Sequence, residues 1–166
     1  MAAIALARAV FIAALLVAAP TFAAEIVGKV VSVHDGDTLT LLVDRRQVKV
    51  RLASIDAPEL GQAFGRASRE ELASICAGGT AFVLEQGRDR YGRTLGNVRC
   101  GSWDANAEQV RRGMAWVYTQ YAPAGSPLYA LEGQARRERR GLWSEPEPVA
   151  PWTWRLSVRS HNLGTR

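Results

Sequence analysis

Three short clusters carry the reactive side chains of this 166-residue chain: Asp35-Gly36-Asp37-Thr38, then Arg51 with Ile55-Asp56-Ala57-Pro58-Glu59, then Asp89-Arg90-Tyr91-Gly92-Arg93. Short carboxylates in close pairs suit a hard divalent cation, because Ca²⁺ and Mg²⁺ take oxygen ligands. A guanidinium beside them matches a phosphate through two parallel hydrogen bonds. Zn²⁺ is disfavoured, since the chain has only His34 and His161 as imidazoles and no Cys-x-x-Cys pair. His34 reads as a turn-entry residue beside the first acidic cluster. Taken alone, the stretch from Arg51 to Glu59 is equally a salt-bridged surface turn. Chemistry on a phosphodiester requires the clusters to meet.

The elements that would bring them together follow from apolar periodicity. Val50 and Leu52 alternate with Lys49 and Arg51, so one face of this strand is core and the other offers cations. Pro58 biases Ala57 toward an extended backbone and predicts that the chain leaves the sheet there, with Asp56 and Glu59 at the exit. Upstream, Val27, Val31 and Val33, then Leu39, Leu41 and Val43, alternate with polar residues. Residues 26–54 thus read as three consecutive antiparallel strands. Their connections are His34-Asp35-Gly36-Asp37, a tight turn whose glycine suits a positive φ, and Asp44-Arg45-Arg46.

Between Ala63 and Cys76 the period becomes helical and Gly78-Gly79 ends it. Strands return at Thr80–Glu85 and Thr94–Arg99, flanking the third cluster. A helix over Ala105–Arg112 takes Asp104 as its cap and Gly113 as its stop; another runs from Ser126-Pro127 to Arg140. Arg136, Arg137, Arg139 and Arg140 in its last turns are accounted for both by a solvated helix end and by contact with a nucleic-acid backbone. Beyond residue 145 the Pro/Trp-containing extension, 146–166, reads as a linker, then Pro151-Trp152-Thr153-Trp154-Arg155 docking back on the domain, then a loose tail from 156. Five strands, a helix inserted between the third and fourth, and about three helices in all fit an α+β domain on a five-stranded OB-fold β-barrel over residues 24–145.

Residues 1–23 read as a secretory signal peptide: Arg8, an apolar run from Ala9 to Ala19 too short to span a bilayer, Pro20, and small residues before a cut after Ala23. The expected product is secreted or periplasmic, without stable membrane association. The net charge is +5 from 21 basic and 16 acidic residues. Losing Arg8 leaves 20 − 16 = +4, a basic domain drawn to polyanions. Cys76 and Cys100 predict a disulfide in an oxidising compartment.

In this order and combination, the three clusters, the Val50-Arg51-Leu52 run before Ile55-Asp56-Ala57-Pro58-Glu59, and Arg139-Arg140-Gly141-Leu142-Trp143 resemble the staphylococcal nuclease (thermonuclease) family, specifically its secreted bacterial members. The resemblance implies a Ca²⁺-dependent endonuclease acting on DNA and RNA, single strands preferred, monomeric, leaving 3′-phosphate ends. It assigns metal ligation to Asp37, Asp56 and the carbonyl of Ala57, where relatives often carry Thr, with Asp35 acting through water. Arg51 and Arg93 would clamp the phosphate, and Glu59 would orient or deprotonate the attacking water. Arg90, Tyr91, Tyr118 and Tyr121 are the implied substrate-binding residues; partly buried core packing accounts for the tyrosines equally well. A rival class is a non-catalytic OB-fold module of the same ancestry that binds nucleic acid or protein. Such modules lack the acidic and arginine positions, whereas Asp37, Arg51, Asp56, Glu59 and Arg93 are all present here.

Overall fold

Val30, Leu39, Leu41, Val50, Leu52, Val83 and Val98 turn one face of five strands inward, and each is at most 2% exposed. The computed structural model describes residues 25–163, so the signal-peptide reading lies outside it. In chain order its elements are strands β1 (Glu25–Val33), β2 (Thr38–Val43), β3 (Arg46–Leu52) and β4 (Ile55–Asp56), helix α1 (Gly65–Cys76), and strands β5 (Thr80–Arg88), β6 (Thr94–Cys100) and β7 (Trp103–Asp104). Helix α2 (Ala105–Arg111), strand β8 (Trp116–Val117), helix α3 (Leu128–Arg137), a 3-10 turn at Gly141–Ser144 and helix α4 (Pro151–Leu163) follow.

Strands β3, β2, β1, β5 and β6 lie side by side in that order, and β6 closes on β3. The closing pair is parallel, with Val50 opposite Thr94 and Arg51 opposite Leu95, while the other barrel pairs are antiparallel. The result is a closed five-stranded mixed barrel of the OB type. Closure removes the unpaired edges an open sheet would present. It also sets the second and third clusters on neighbouring strands.

Two local expectations are corrected. The sequence places the exit from the sheet at Pro58, but β3 ends at Leu52, because Ser54 adopts a left-handed backbone, φ 64°. The next two residues form β4, which pairs with β8, Asp56 opposite Trp116. The Arg51 guanidinium fills the turn, its Nη1 donating to the carbonyls of Leu52 and Ile55 at 3.0 and 2.9 Å. Gly36 does not have the positive φ suggested for it. Its requirement is steric: a Cβ there would lie 1.7 Å from Ser68 Oγ on α1 and 2.7 Å from the Ala57 Cβ.

Two buried amides lock the barrel to the helices. Asn106 of α2 accepts from the Val98 N–H at 2.9 Å and donates to the Ala53 carbonyl at 2.8 Å. Gln109, fully buried, donates to the carbonyls of Gly36 and Ser68. Leaving a buried main-chain group without such a partner costs about 1–3 kcal/mol. Asp104 caps α2 as the sequence predicts, accepting from the Ala107 N–H at 3.0 Å.

The loose tail is also corrected. Residues 151–163 form α4, a fourth helix, started by Pro151 at its first position, where the missing N–H has no consequence. Trp152 stacks on Tyr118, centroids 5.3 Å apart and rings within 3° of parallel, and meets Trp116 edge-on at 5.7 Å. The preceding segment is tied down too, with Gln62 donating to the Val149 carbonyl at 2.6 Å. Among the described residues no helix is long and apolar enough to cross a membrane.

Cys76 at the end of α1 is joined to Cys100 at the end of β6, closing a loop of sequence separation 24. In the chain-entropy model such a cross-link stabilises by about 3–4 kcal/mol. Reduction, or replacement of both cysteines by alanine, is therefore expected to lower the unfolding free energy extrapolated from urea titration by a comparable amount. Alkylated protein should also migrate differently on reduced and non-reduced gels, and two titratable thiols before reduction would contradict the pairing.

Candidate active site

Arg51 stands between two buried carboxylates. Its Nη1 lies 3.1 Å from Asp37 Oδ2 and its Nη2 donates to Asp56 Oδ1 at 2.8 Å, with Asp37 5% and Asp56 1% exposed. Asp37 comes from the turn that starts β2, Arg51 from the end of β3, and Asp56 from β4. The β2–β3 register sets Thr38 opposite Arg51, so neighbouring strand ends deliver the pair by backbone pairing rather than by long side chains.

The Asp37 carboxylate is further fixed by the Ala57 N–H, donating to Oδ2 at 2.7 Å, and by Thr38 Oγ1, donating to Oδ1 at 2.9 Å. Asp35 Oδ1 accepts from the Asp37 N–H at 3.0 Å and so shapes the turn, and its charge acts on Asp37 from across Gly36. Burial pushes Asp37 up to about 6 against the opposing pull of Arg51. Burial also raises Asp56, although the Arg155 hydrogen bond and Arg51 pull it down. Two carboxylates whose charge is only partly compensated are sites that a further cation would stabilise.

The donor set fits a hard ion in part. Among the described residues no group of three or more His, Cys, Asp or Glu side chains is placed to hold a metal. Two carboxylates with a main-chain carbonyl and water suit Mg²⁺ or Ca²⁺, which keep open positions for water and substrate oxygens. Glu59 lies nearby on the loop before α1, its side chain 37% exposed. That loop packs tightly at its far end, where a Cβ on Gly65 would lie 1.9 Å from the Glu59 carbonyl oxygen.

The third cluster is folded on its own aspartate, and the β3–β6 pairing, with Arg51 opposite Leu95, sets it beside the strand that carries Arg51. Arg93 Nε donates to Asp89 Oδ2 at 2.6 Å, and Asp89 Oδ1 accepts from the N–H groups of Tyr91 and Arg93, which folds the turn around that one carboxylate. Burial raises Asp89, but the Arg93 and main-chain hydrogen bonds outweigh it and leave the group below its ordinary range. Arg90 and Arg93 lie over the ring of the exposed Tyr91, at 4.9 and 5.5 Å from its centroid. Tyr121 is exposed and meets Tyr118 edge-on at 4.9 Å, while Trp152 covers one face of Tyr118. Tyr91 and Tyr121 offer open rings; Tyr118 is a packed wall. His34 donates to or accepts from Thr40 Oγ1 through Nε2 at 2.8 Å, as a turn-entry residue would.

One residue at this site went unassigned from sequence. Arg155 of α4 reaches Asp56 Oδ2 at 2.7 Å through Nη2 and Glu59 Oε1 at 2.8 Å through Nη1. Burial lowers its pKa, but the hydrogen bonds to both carboxylates outweigh that and raise it. Its sequence context, an arginine after two tryptophans in the extension, pointed to docking of the segment and not to the acidic loop.

Comparison with known proteins is consistent with this geometry. A family model described as staphylococcal nuclease homologue matches residues 49–145. The chain is 43% identical over 163 residues to a micrococcal nuclease of Shigella flexneri, covering 92% of this chain and 94% of that protein. It is 46% identical over 137 residues to an uncharacterized endonuclease of Escherichia coli, covering 82% and 89% respectively. A staphylococcal-like nuclease of Arabidopsis thaliana is 33% identical over 117 residues, covering 70% of this chain and 36% of the plant protein. With the family model matching more than half of the chain and nuclease relatives aligned over most of it, the chain belongs to the staphylococcal nuclease family.

Proposed function

We propose that this protein is an exported, Ca²⁺-dependent endonuclease that hydrolyses phosphodiester bonds of DNA and RNA. In this reading it works as a monomer, takes single strands more readily than duplex and leaves 3′-phosphate ends. The reading rests on one arrangement: Arg51 held between buried Asp37 and Asp56, with Glu59 on the adjoining loop. Endonuclease relatives support the reaction class, and the leader-like residues 1–23 with the Cys76–Cys100 pair support export.

Asp37, Asp56 and the Ala57 carbonyl are the groups that would hold the ion, with Asp35 shaping the turn behind them. A bound dication would supply Lewis acidity to a phosphoryl oxygen and ease ionisation of a bound water. The remaining work falls to this chain's own side chains. Negative charge accumulates on the equatorial oxygens as water attacks phosphorus, so a guanidinium aimed there stabilises the transition state more than the ground state. Arg51 suits this task because its two main-chain acceptors hold the fork in place before substrate arrives. Arg93 is the second clamp in this reading, with the phosphate replacing Asp89 as its partner. Glu59 orients the attacking water or takes its proton. Arg90, Tyr91 and Tyr121 provide cations and open rings along which a single strand can lie.

Purified mature protein incubated with denatured DNA or with RNA is expected to cut both in Ca²⁺ and neither in chelator, with 3′-phosphate termini on the fragments. Cleavage undiminished in chelator would overturn the metal-dependent reading. Replacing Arg51 by Lys keeps the charge and loses the fork; the rate is expected to fall about 10²–10³-fold, the effect of removing one such donor elsewhere. Arg93→Lys should show a loss of the same kind, and Glu59→Gln should lower the rate at saturating Ca²⁺. A near-normal rate in any of the three would remove that residue's role.

Titration gives a further expectation. Asp37 is raised in the folded protein to about 6 from an unfolded value of ~3.9. In ion-free protein its contribution to stability is therefore complete below ~4 and lost as the pH rises through about 6. Ion binding needs the charged form and opposes that trend. The Ca²⁺-induced rise in Tm is thus expected to be largest at pH 7 and above and to shrink as the pH falls through about 6. A pH-independent rise would show that Asp37 does not ligate the ion.

A further inference from the structure

Arg155 lies beyond residues 49–145, which the family model matches, in a helix packed onto the domain by tryptophans, and its guanidinium lies across two of the acidic groups assigned above. Nη2 donates to Asp56 Oδ2 at 2.7 Å, and Nη1 donates to Glu59 Oε1 at 2.8 Å and reaches Asp56 Oδ1 at 3.3 Å. Both oxygens of Asp56 are thereby engaged, since Arg51 already donates to Oδ1.

The two arginines are not equivalent. The Arg51 side chain is 11% exposed and is anchored by the carbonyls of Leu52 and Ile55. The Arg155 side chain is 33% exposed, and among the described residues its guanidinium bonds only to the two carboxylates. Nothing but charge holds its fork in place. Its helix stays docked for other reasons: Trp152 stacks on Tyr118, and Trp154 approaches Gly61 on the loop that carries Glu59. A fixed stem with a free head delivers a positive group to one spot at high local concentration.

We propose that Arg155 is a tethered competitor for the divalent ion. Its guanidinium neutralises Asp56 and Glu59 in the ion-free protein, and ion binding requires it to release Asp56. The inference rests on the metal-dependent reading above and concerns binding, not cleavage. Competition of this kind weakens the ion's affinity by the cost of breaking the arginine contacts. It also accounts for Asp56 and Glu59 both being turned to the guanidinium.

The test is calorimetric titration of Ca²⁺ into full mature protein without nucleic acid. Arg155→Gln is expected to bind about tenfold more tightly than wild type, the factor set by losing roughly one net charge-assisted contact. Arg155→Lys, which keeps the charge without the fork, should fall between them. Arg159→Gln removes an exposed arginine one helical turn away and should change the affinity by less than about twofold, because an exposed charge without a contact is screened. If Arg155→Gln loses folded structure, Trp152→Leu loosens the helix with the arginine retained and is expected to tighten binding as well.

Unchanged or weaker binding by a folded Arg155→Gln protein overturns the inference, and so does equal tightening by Arg159→Gln. Should neither wild type nor Arg155→Gln bind a divalent ion, the metal-dependent reading falls and this inference with it. Equal affinity in the two proteins removes this inference alone.

Discussion

Two buried carboxylates within reach of one guanidinium are the constraint on which the rest of the molecule depends. Burying like charges close together is unfavourable unless cations and hydrogen bonds surround them, and Asp37 and Asp56 are both nearly inaccessible to water. Arg51 relieves the conflict by bonding to both, and Thr38 and Ala57 donate further hydrogen bonds to Asp37. The balance remains incomplete, which is why burial still pushes both acids upward. A protein that keeps such an arrangement retains a standing affinity for one more positive charge.

The barrel exists, in this view, to hold that unfavourable cluster still. Antiparallel pairing of β2 with β3 brings the Asp37 turn beside Arg51, and β4 is steered back across the mouth by its pairing with β8. Asn106 and Gln109 then tie α2 to main-chain groups of the barrel, one at Ala53 next to the β3 exit and the other at Gly36 inside the acidic turn. The apolar interior supplies the driving force, and these few directed bonds supply the register.

The barrel strands were legible because their signal is local. Alternation over Leu39, Leu41 and Val43 and over Val48, Val50 and Leu52 translates directly into side chains facing the core, and capping by Asp104 needs only three residues of context. The Asp37 turn and Arg51 were legible for a related reason, being carried on β2 and β3, two adjacent strands joined by a short hairpin. What could not be read was set by contacts distant in sequence. The left-handed turn at Ser54 has no glycine to announce it. The reason for Gly36 lies in Ser68 on α1. Helix α4 follows a Pro-rich stretch and has a modest apolar pattern; its order comes from Trp152 meeting Tyr118 and Trp116, which no window of the sequence contains.

Gly36 joins these themes. Its missing side chain lets α1 press against the turn through Ser68, and its carbonyl receives Gln109 from α2, so the main chain one residue before Asp37 is gripped from two helices at once. The spacing of the acids is consequently a mechanical readout of how those helices sit. Repacking far from the mouth, in the interior shared by α1 and α2, would reach the reactive groups through this single point. Variants selected only for a firmer interior would then alter the distance between Asp37 and Asp56 without any change to either residue.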